Sequence, residues 1–298
     1  MCRFASDRVA FRLATLYDKV MCPMQKYFVD RTAFGDRLVT VTGDDARHIC
    51  VVMRLKPGDR IVVSDGGGRE AIAELTAVRP DCVEAVVVER LRADAEPKVD
   101  VWIAQSLPKG DKFETVLQKG TEIGAGRFLP FRSERTVVRY EAEAAARKLD
   151  RWRKIVKEAA EQAGRNRVPP VDPPMSWDEL LARVAQVGRA WLLHTGSECM
   201  PLREAFRRGR AGDGPTGRAG FPSPVMLIVG PEGGFSDREA EQAVRAGALP
   251  VSLGRRVLRT ETAAMVALAC LMYEIGEMGG EPDAEGGVLY AGMQGELL

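Results

Sequence analysis

At 298 residues, 45% of them hydrophobic and 29% charged, the chain has the size and composition of a soluble globular protein with two ordinary cores. No apolar run approaches the about 18 residues that a membrane-spanning helix needs, which excludes an integral helical membrane protein. A net charge of +1 gives no overall bias toward nucleic acid, so such a partner must be sought in local patches. Six scattered cysteines with no CxxC pair, and only 2 histidines, point to a reducing cytoplasm and leave no set of ligands for a metal.

Residues 1–24 carry charges at Arg3, Asp7, Arg8, Arg12, Asp18 and Lys19. They lack a continuous signal-peptide core and read as an extension outside the fold. Over 25–92 the pattern is short strands of alternating apolar residues, at 60–64, 70–75 and 83–88. Lys56-Pro-Gly-Asp59 and Asp65-Gly-Gly-Gly68 separate them, so a small antiparallel β-barrel or sandwich is expected. Residues 45–54 fit a short helix with Arg47, His48 and Arg54 on one polar edge. A lone histidine there is more often a satisfied structural residue than a catalytic one. Residues 92–97 read as a linker.

From 98 to 278 strands and helices alternate, which predicts a largely parallel sheet. Strands are expected over 99–105, 127–131, 189–194, 226–229 and 249–253. Helices are expected over 109–123, 141–163, 176–186 and 261–278, the last burying Met265, Val266, Ala269, Met272 and Tyr273. Residues 207–224, rich in Arg, Gly and Pro, read as a flexible insertion. Gly212-Asp-Gly-Pro-Thr-Gly217 within it matches a dinucleotide fingerprint only formally, because no strand leads in, no helix leads out and a proline interrupts it. The Gly- and Glu-rich residues 279–298 read as a fraying tail.

The chemistry concentrates around Met226-Leu-Ile-Val-Gly-Pro-Glu-Gly-Gly-Phe-Ser-Asp-Arg-Glu239. An uninterrupted apolar strand runs into bare glycine backbone at Gly230, Gly233 and Gly234, and Ser236 with Glu239 spells a capping box that starts a helix at once. Strand end, glycine turn and helix N-terminus together form the place where open α/β sheets hold ligands. Two further strand ends carry similar loops, beginning at His194-Thr-Gly-Ser197 and at Leu253-Gly-Arg-Arg256. If these strands are neighbours, the three loops make one pocket suited to a flat heterocycle such as adenine. Between 127 and 167 there are 12 Lys or Arg against 6 Asp or Glu. Arg132, Arg135, Arg165 and Arg167 fall in loops there, where arginine serves anions such as phosphate.

Arg47-His-Ile with Val52-Met-Arg54, Gln105-Ser-Leu-Pro-Lys109, Lys119-Gly-Thr-Glu-Ile-Gly124, Glu161-Gln-Ala-Gly-Arg-Asn-Arg-Val-Pro169, Val229-Gly-Pro-Glu-Gly-Gly-Phe235 and Leu253-Gly-Arg-Arg-Val-Leu-Arg-Thr-Glu-Thr-Ala263 together resemble the RsmE family. Its members are bacterial 16S ribosomal RNA (uracil-N3)-methyltransferases of the SPOUT superfamily. The resemblance spans about 26–278, leaving out the extension, the insertion and the tail. It implies an α/β fold with a small β-barrel: a PUA-like RNA-binding barrel at 25–92, then a SPOUT domain at 98–278 tied in a trefoil knot. It also implies S-adenosyl-L-methionine as cofactor, a homodimer, and 16S ribosomal RNA of the small ribosomal subunit as partner, without metal or membrane.

By motif match the cofactor-binding residues are His194, Thr195, Gly196, Gly230, Glu232, Gly233, Gly234, Leu253, Gly254, Leu258 and Thr260. Uracil N3 must lose a proton before it attacks a methyl group, so cationic groups near it are needed. Arg165, Asn166 and Arg259 are the candidates, with Glu261 as a candidate proton acceptor. Arg47, His48, Arg54, Arg132, Arg135 and Arg167 are expected to grip RNA. Two alternatives stay open, a non-catalytic RNA-binding module and a SPOUT enzyme acting on another RNA target.

Overall fold

The computed structural model describes residues 24–92, 95–138, 141–196, 198–210 and 223–279. The expected N-terminal extension except Met24, the fingerprint-like glycines at 212–217, and all but the first residue of the expected tail lie outside them, as do residues 93 and 94 of the linker. The described residues fall into two compact units, 24–92 and 95–279.

The first unit is a five-stranded sheet of β1 (Lys26–Phe28), β2 (Leu38–Thr42), β3 (Arg60–Ser64), β4 (Glu70–Val78) and β5 (Cys82–Leu91), in the order β1-β3-β4-β5-β2. The expectation of an antiparallel barrel needs correcting at one edge, because β1 pairs with β3 in parallel; the remaining pairs are antiparallel. Alternation could not reveal β1. All three of its residues are buried, and Lys26 is there only because its ammonium meets Glu70 at 2.9 Å on β4, a pairing that a buried charge requires. Val39, Val41, Ile61, Val63, Leu75 and Val83 supply the core by the period-2 rule.

The helix expected over 45–54 divides into α1 (Gly43–Arg47) and a π-helical turn (His48–Val52). Arg54 follows with φ of 53°, in the left-handed region. The turn buries Ile49 and sets His48 Nδ1 3.0 Å from the Tyr27 hydroxyl. His48 is therefore a packing partner of β1 through one ring nitrogen, whereas Arg47 and Arg54 are exposed.

The second unit is a seven-stranded sheet in which every pairing is parallel: β6 (Val101–Ser106), β7 (Arg127–Arg132), β8 (Met175–Ser176), β9 (Arg189–Leu193), β10 (Met200–Pro201), β11 (Val225–Val229) and β12 (Ala248–Ser252), ordered β10-β12-β9-β11-β6-β7-β8. The helices are α2 (Lys112–Ile123), α3 (Ala142–Gln162), α4 (Trp177–Val184), α5 (Leu202–Arg210), α6 (Asp237–Arg245) and α7 (Thr260–Glu274). The apolar run of β11 is buried on both faces. Val225, Leu227 and Val229 join the cluster of Phe128, Trp152 and Leu268, while Met226 and Ile228 join that of Leu129, Leu192 and Phe235. A strand covered on both sides has no polar positions to spare, hence its unbroken hydrophobicity.

Both capping boxes form, Ser176 with Glu179 and Ser236 with Glu239. Two expectations are corrected. Residues 207–210, assigned to an insertion, complete α5. The buried face of α7 is Thr260, Ala264, Ala267, Leu268, Leu271 and Met272; of the expected set it keeps Met272, while Met265, Val266 and Ala269 are half-buried and Tyr273 is exposed. This helix is apolar nearly all round, so periodicity has no phase to report.

Candidate functional site

Register places the site. Val229 of β11 lies level with Leu193 of β9 and Gln105 of β6, and Val251 of β12 is level with Leu193. Because these strands are parallel neighbours, their C-terminal ends open on one edge of the sheet, where doubly wound folds bind ligands. The loops beginning at His194, Gly230 and Leu253 enclose a cavity of about 530 Å³, within the usual range for a small-molecule site.

His194, Thr195, Gly230, Glu232, Gly233, Gly234, Leu253, Gly254, Leu258, Arg259 and Thr260 all line it. Gly196 does not, nor does Glu261, one residue farther into α7. Glu261 Oε2 is instead buried without a hydrogen-bond partner among the described residues. Val257, which with Leu253 and Leu258 the sequence offers as apolar contact, also faces the cavity, as do Lys112, Ser252 and Arg256, which sequence reasoning missed. Lys112 sits three residues past the Gln105–Lys109 motif, at the first turn of α2, which is the only signal that could have drawn attention to it.

The glycines have distinct reasons. Gly234 and Gly254 take φ of 66° and 111°, where an L side chain is strained. Gly230 has an ordinary φ, but a Cβ on it would stand 3.1 Å from the Phe235 ring. The turn is also clamped from the β7 loop. Arg135 Nη1 donates to the Gly233 carbonyl at 2.8 Å, and the Ser236 hydroxyl donates to Glu134 Oε2 at 2.8 Å. One guanidinium nitrogen of Arg135, expected to meet RNA, is thus occupied by the turn.

Beneath the cavity, Gln105 Nε2 donates to Thr260 Oγ1 at 2.8 Å and to the Gly230 carbonyl at 3.4 Å. Thr260 Oγ1 in turn donates to Gly230 O at 2.6 Å. These bonds tie the end of β6, the glycine turn and the start of α7 into one floor. At the rim, Glu232 Oε1 accepts from Lys112 Nζ at 2.6 Å and from the Lys109 amide at 3.1 Å. Partial burial opposes ionisation of Glu232, but those donors outweigh it and hold the carboxyl below its usual range.

Arg165 and Asn166, candidates for the reacting site from sequence, lie elsewhere than the cavity wall. Arg165 is buried and donates to Glu96 Oε1 and Oε2 at 3.3 and 2.5 Å and to the carbonyls of Thr121 and Ala125 at 3.2 and 2.6 Å. Glu96 Oε1 also accepts the Asn166 and Arg167 amides, and Asn166 Oδ1 accepts the Ala95 amide. The turn is therefore fastened to a segment that reads, in sequence, as linker. Its chemistry is that of a frame, and only Arg167 stands exposed. Arg132 is exposed as well.

Both units of the fold have relatives among known proteins. Residues 95–272 match the RNA methyltransferase domain family and residues 41–88 the RNA methyltransferase PUA domain family. Ribosomal RNA small subunit methyltransferase E of Bacillus subtilis is 37% identical over 254 residues, 84% of this chain and 97% of the relative. The protein of that name from Mycobacterium tuberculosis is 34% identical over 82% of this chain and 90% of its own length. The crystal structure of ribosomal RNA small subunit methyltransferase E from Neisseria gonorrhoeae bound to S-adenosyl methionine superposes with a TM-score of 0.70 at 31% identity, over 84% of this chain and 97% of that one. With both units matched in order, the chain belongs to the RNA methyltransferase family, in the branch of the ribosomal RNA small subunit methyltransferases E.

Proposed function

We propose that this protein transfers a methyl group from S-adenosylmethionine to N3 of a uridine in the 16S RNA of the small ribosomal subunit, in the cytoplasm. The observation that carries the reading is the convergence of three parallel strand ends on one cavity of about 530 Å³ floored by glycine backbone. The residues present fit the cofactor. Main chain at Gly230–Gly234 and Leu253–Leu258 can hydrogen-bond a purine edge, and Leu193, Leu253 and Leu258 offer its faces apolar contact. When bound, S-adenosylmethionine supplies an electrophilic methyl group on a positively charged sulfur. Arg259 and Lys112, both in the wall, favour a uracil ring that has lost its imide proton, since fixed cations stabilise the negative charge that develops. Arg165 and Asn166, through their bonds to Glu96 and to the carbonyls at and just beyond the end of α2, keep the frame in place.

The same proposal assigns 25–92 to RNA binding, with Arg47 and Arg54 on phosphates, and 98–278 to cofactor binding and catalysis, with Arg132, Arg135 and Arg167 adding cationic surface. It includes the homodimer and the trefoil knot. The knot is supported by the path of the C-terminal segment, which leaves β12 beyond β9 and returns as α7 against β11 and β6.

Digestion of 16S RNA methylated by the protein, followed by mass spectrometry, should show N3-methyluridine. A methyl group on another base or on ribose would redirect the assignment to a different RNA target. Calorimetric titration with S-adenosylmethionine should show saturable heat, and its absence would leave only an RNA-binding module. Replacing Arg47 and Arg54 with serine should weaken RNA binding across sequences and reduce the magnitude of the salt slope by about one for each phosphate no longer neutralised. An unchanged slope would remove these two side chains from the RNA surface.

A further inference from the structure

The imide proton of uracil needs a destination, and Glu261, the candidate from sequence, does not face the cavity. Among the described residues, the wall of the cavity contains one carboxylate, Glu232. Its position is fixed from outside its own loop. The Lys112 ammonium and the Lys109 amide, both from the segment between β6 and α2, bond to Oε1. A backbone amide of its own loop, that of Glu232 itself, also bonds to the carboxylate. The pair is partly open to solvent, with side chains 32% and 36% exposed.

We propose that Glu232 is the group that takes the N3 proton of the target uracil, with Lys112 steadying the negative ring that remains. This rests on the methyltransferase reading above. The N3–H bond breaks, its electron pair stays on N3, and the proton passes to a carboxylate oxygen of Glu232. The N3 pair then forms the bond to the methyl carbon while the carbon–sulfur pair returns to sulfur, leaving a thioether. Glu232 gives up its proton to solvent as the product leaves.

Before transfer the Lys112 ammonium is paired with a carboxylate, and afterwards with the uracil anion, so the local charge is conserved. The carboxylate is ionised and able to accept; the Lys112 contact weakens it as a base, and what Lys112 contributes in return is stabilisation of the uracil anion. The arrangement also selects the base. Uracil offers an N3–H donor to Glu232 and a carbonyl to Lys112, whereas cytosine places a lone pair at N3, facing a carboxylate that has nothing to accept.

The test is Glu232→Gln in the full-length protein. Its kcat should fall by about 10²- to 10⁴-fold, while calorimetry shows S-adenosylmethionine binding as in wild type. Target RNA bearing 5-fluorouridine, whose N3 is more acidic, should recover most of the lost rate. The rate of the variant on ordinary RNA should rise about tenfold per pH unit above neutrality, as expected when solvent must remove the proton. Unchanged turnover overturns the proposal. So does loss of cofactor binding, which would make Glu232 a ligand of the cofactor, and so does a slow variant that 5-fluorouridine does not rescue. Wild-type protein that binds the cofactor and leaves N3 unmethylated overturns the functional reading itself, an outcome visible before any variant is made.

Discussion

Arg165→Ala will lower the stability of the α/β unit by about 3–5 kcal/mol, the usual cost of removing one partner from a buried ion pair. The side chain is 5% exposed, so solvent does not screen the loss. Without it Glu96 keeps, among the described residues, only the amides of Asn166 and Arg167. At and just beyond the C-terminal end of α2, the Ala125 carbonyl loses its 2.6 Å donor and the Thr121 carbonyl is left with the Gly124 amide at 3.2 Å. Urea unfolding should show a lower midpoint at unchanged slope, the signature of a change in stability alone. Glu96→Ala should behave alike, and the two changes together should cost less than their sum, because each already breaks the same ion pair. If Arg165→Ala instead keeps the wild-type midpoint and loses methylation, the guanidinium belongs to the reacting site and the frame assignment is wrong.

The contrast between Arg165 and Gly230 shows what sequence can carry. Gly230, Gly233, Gly234 and the Ser236–Glu239 box are local signals, in which turn geometry and helix start are decided within a few residues, so they could be read directly. The fully apolar β11 announced a strand covered on both faces for the same reason. That His194, Gly230 and Leu253 open on one cavity depends on strand order, which no local pattern encodes. Glu96 lies 69 positions from its partner, in a stretch whose composition says linker. Lys26 looks like a surface residue until Glu70 is placed beside it. Long-range pairing of charges was therefore the illegible part, and it decided which arginines are free and which hold the fold.

Thr260→Val is the second large effect, because the two residues have nearly the same shape and differ by one hydroxyl. That hydroxyl has a single proton, already given to the Gly230 carbonyl at 2.6 Å, and it accepts from Gln105 at 2.8 Å. It is thus committed to the floor of the cavity and has no proton to offer a ligand, so its hydroxyl acts as a brace. With valine, Gly230 O retains only the 3.4 Å bond from Gln105. Gln105, whose Oε1 already lacks a partner among the described residues, loses its shortest bond. Leaving buried groups unpaired in this way costs about 1–3 kcal/mol. If the glycine turn must be held in place to bind, S-adenosylmethionine affinity should fall by about tenfold for each 1.4 kcal/mol, and the unfolding midpoint should fall with it. Thr260→Ser, which keeps the hydroxyl, should restore both. Gln105→Leu should reproduce the loss, and the double variant should fall short of additivity because both changes break one hydrogen bond. Direct contact with the ligand predicts a different pattern, weakened binding at unchanged stability, so the joint movement of affinity and midpoint is what separates a brace from a contact.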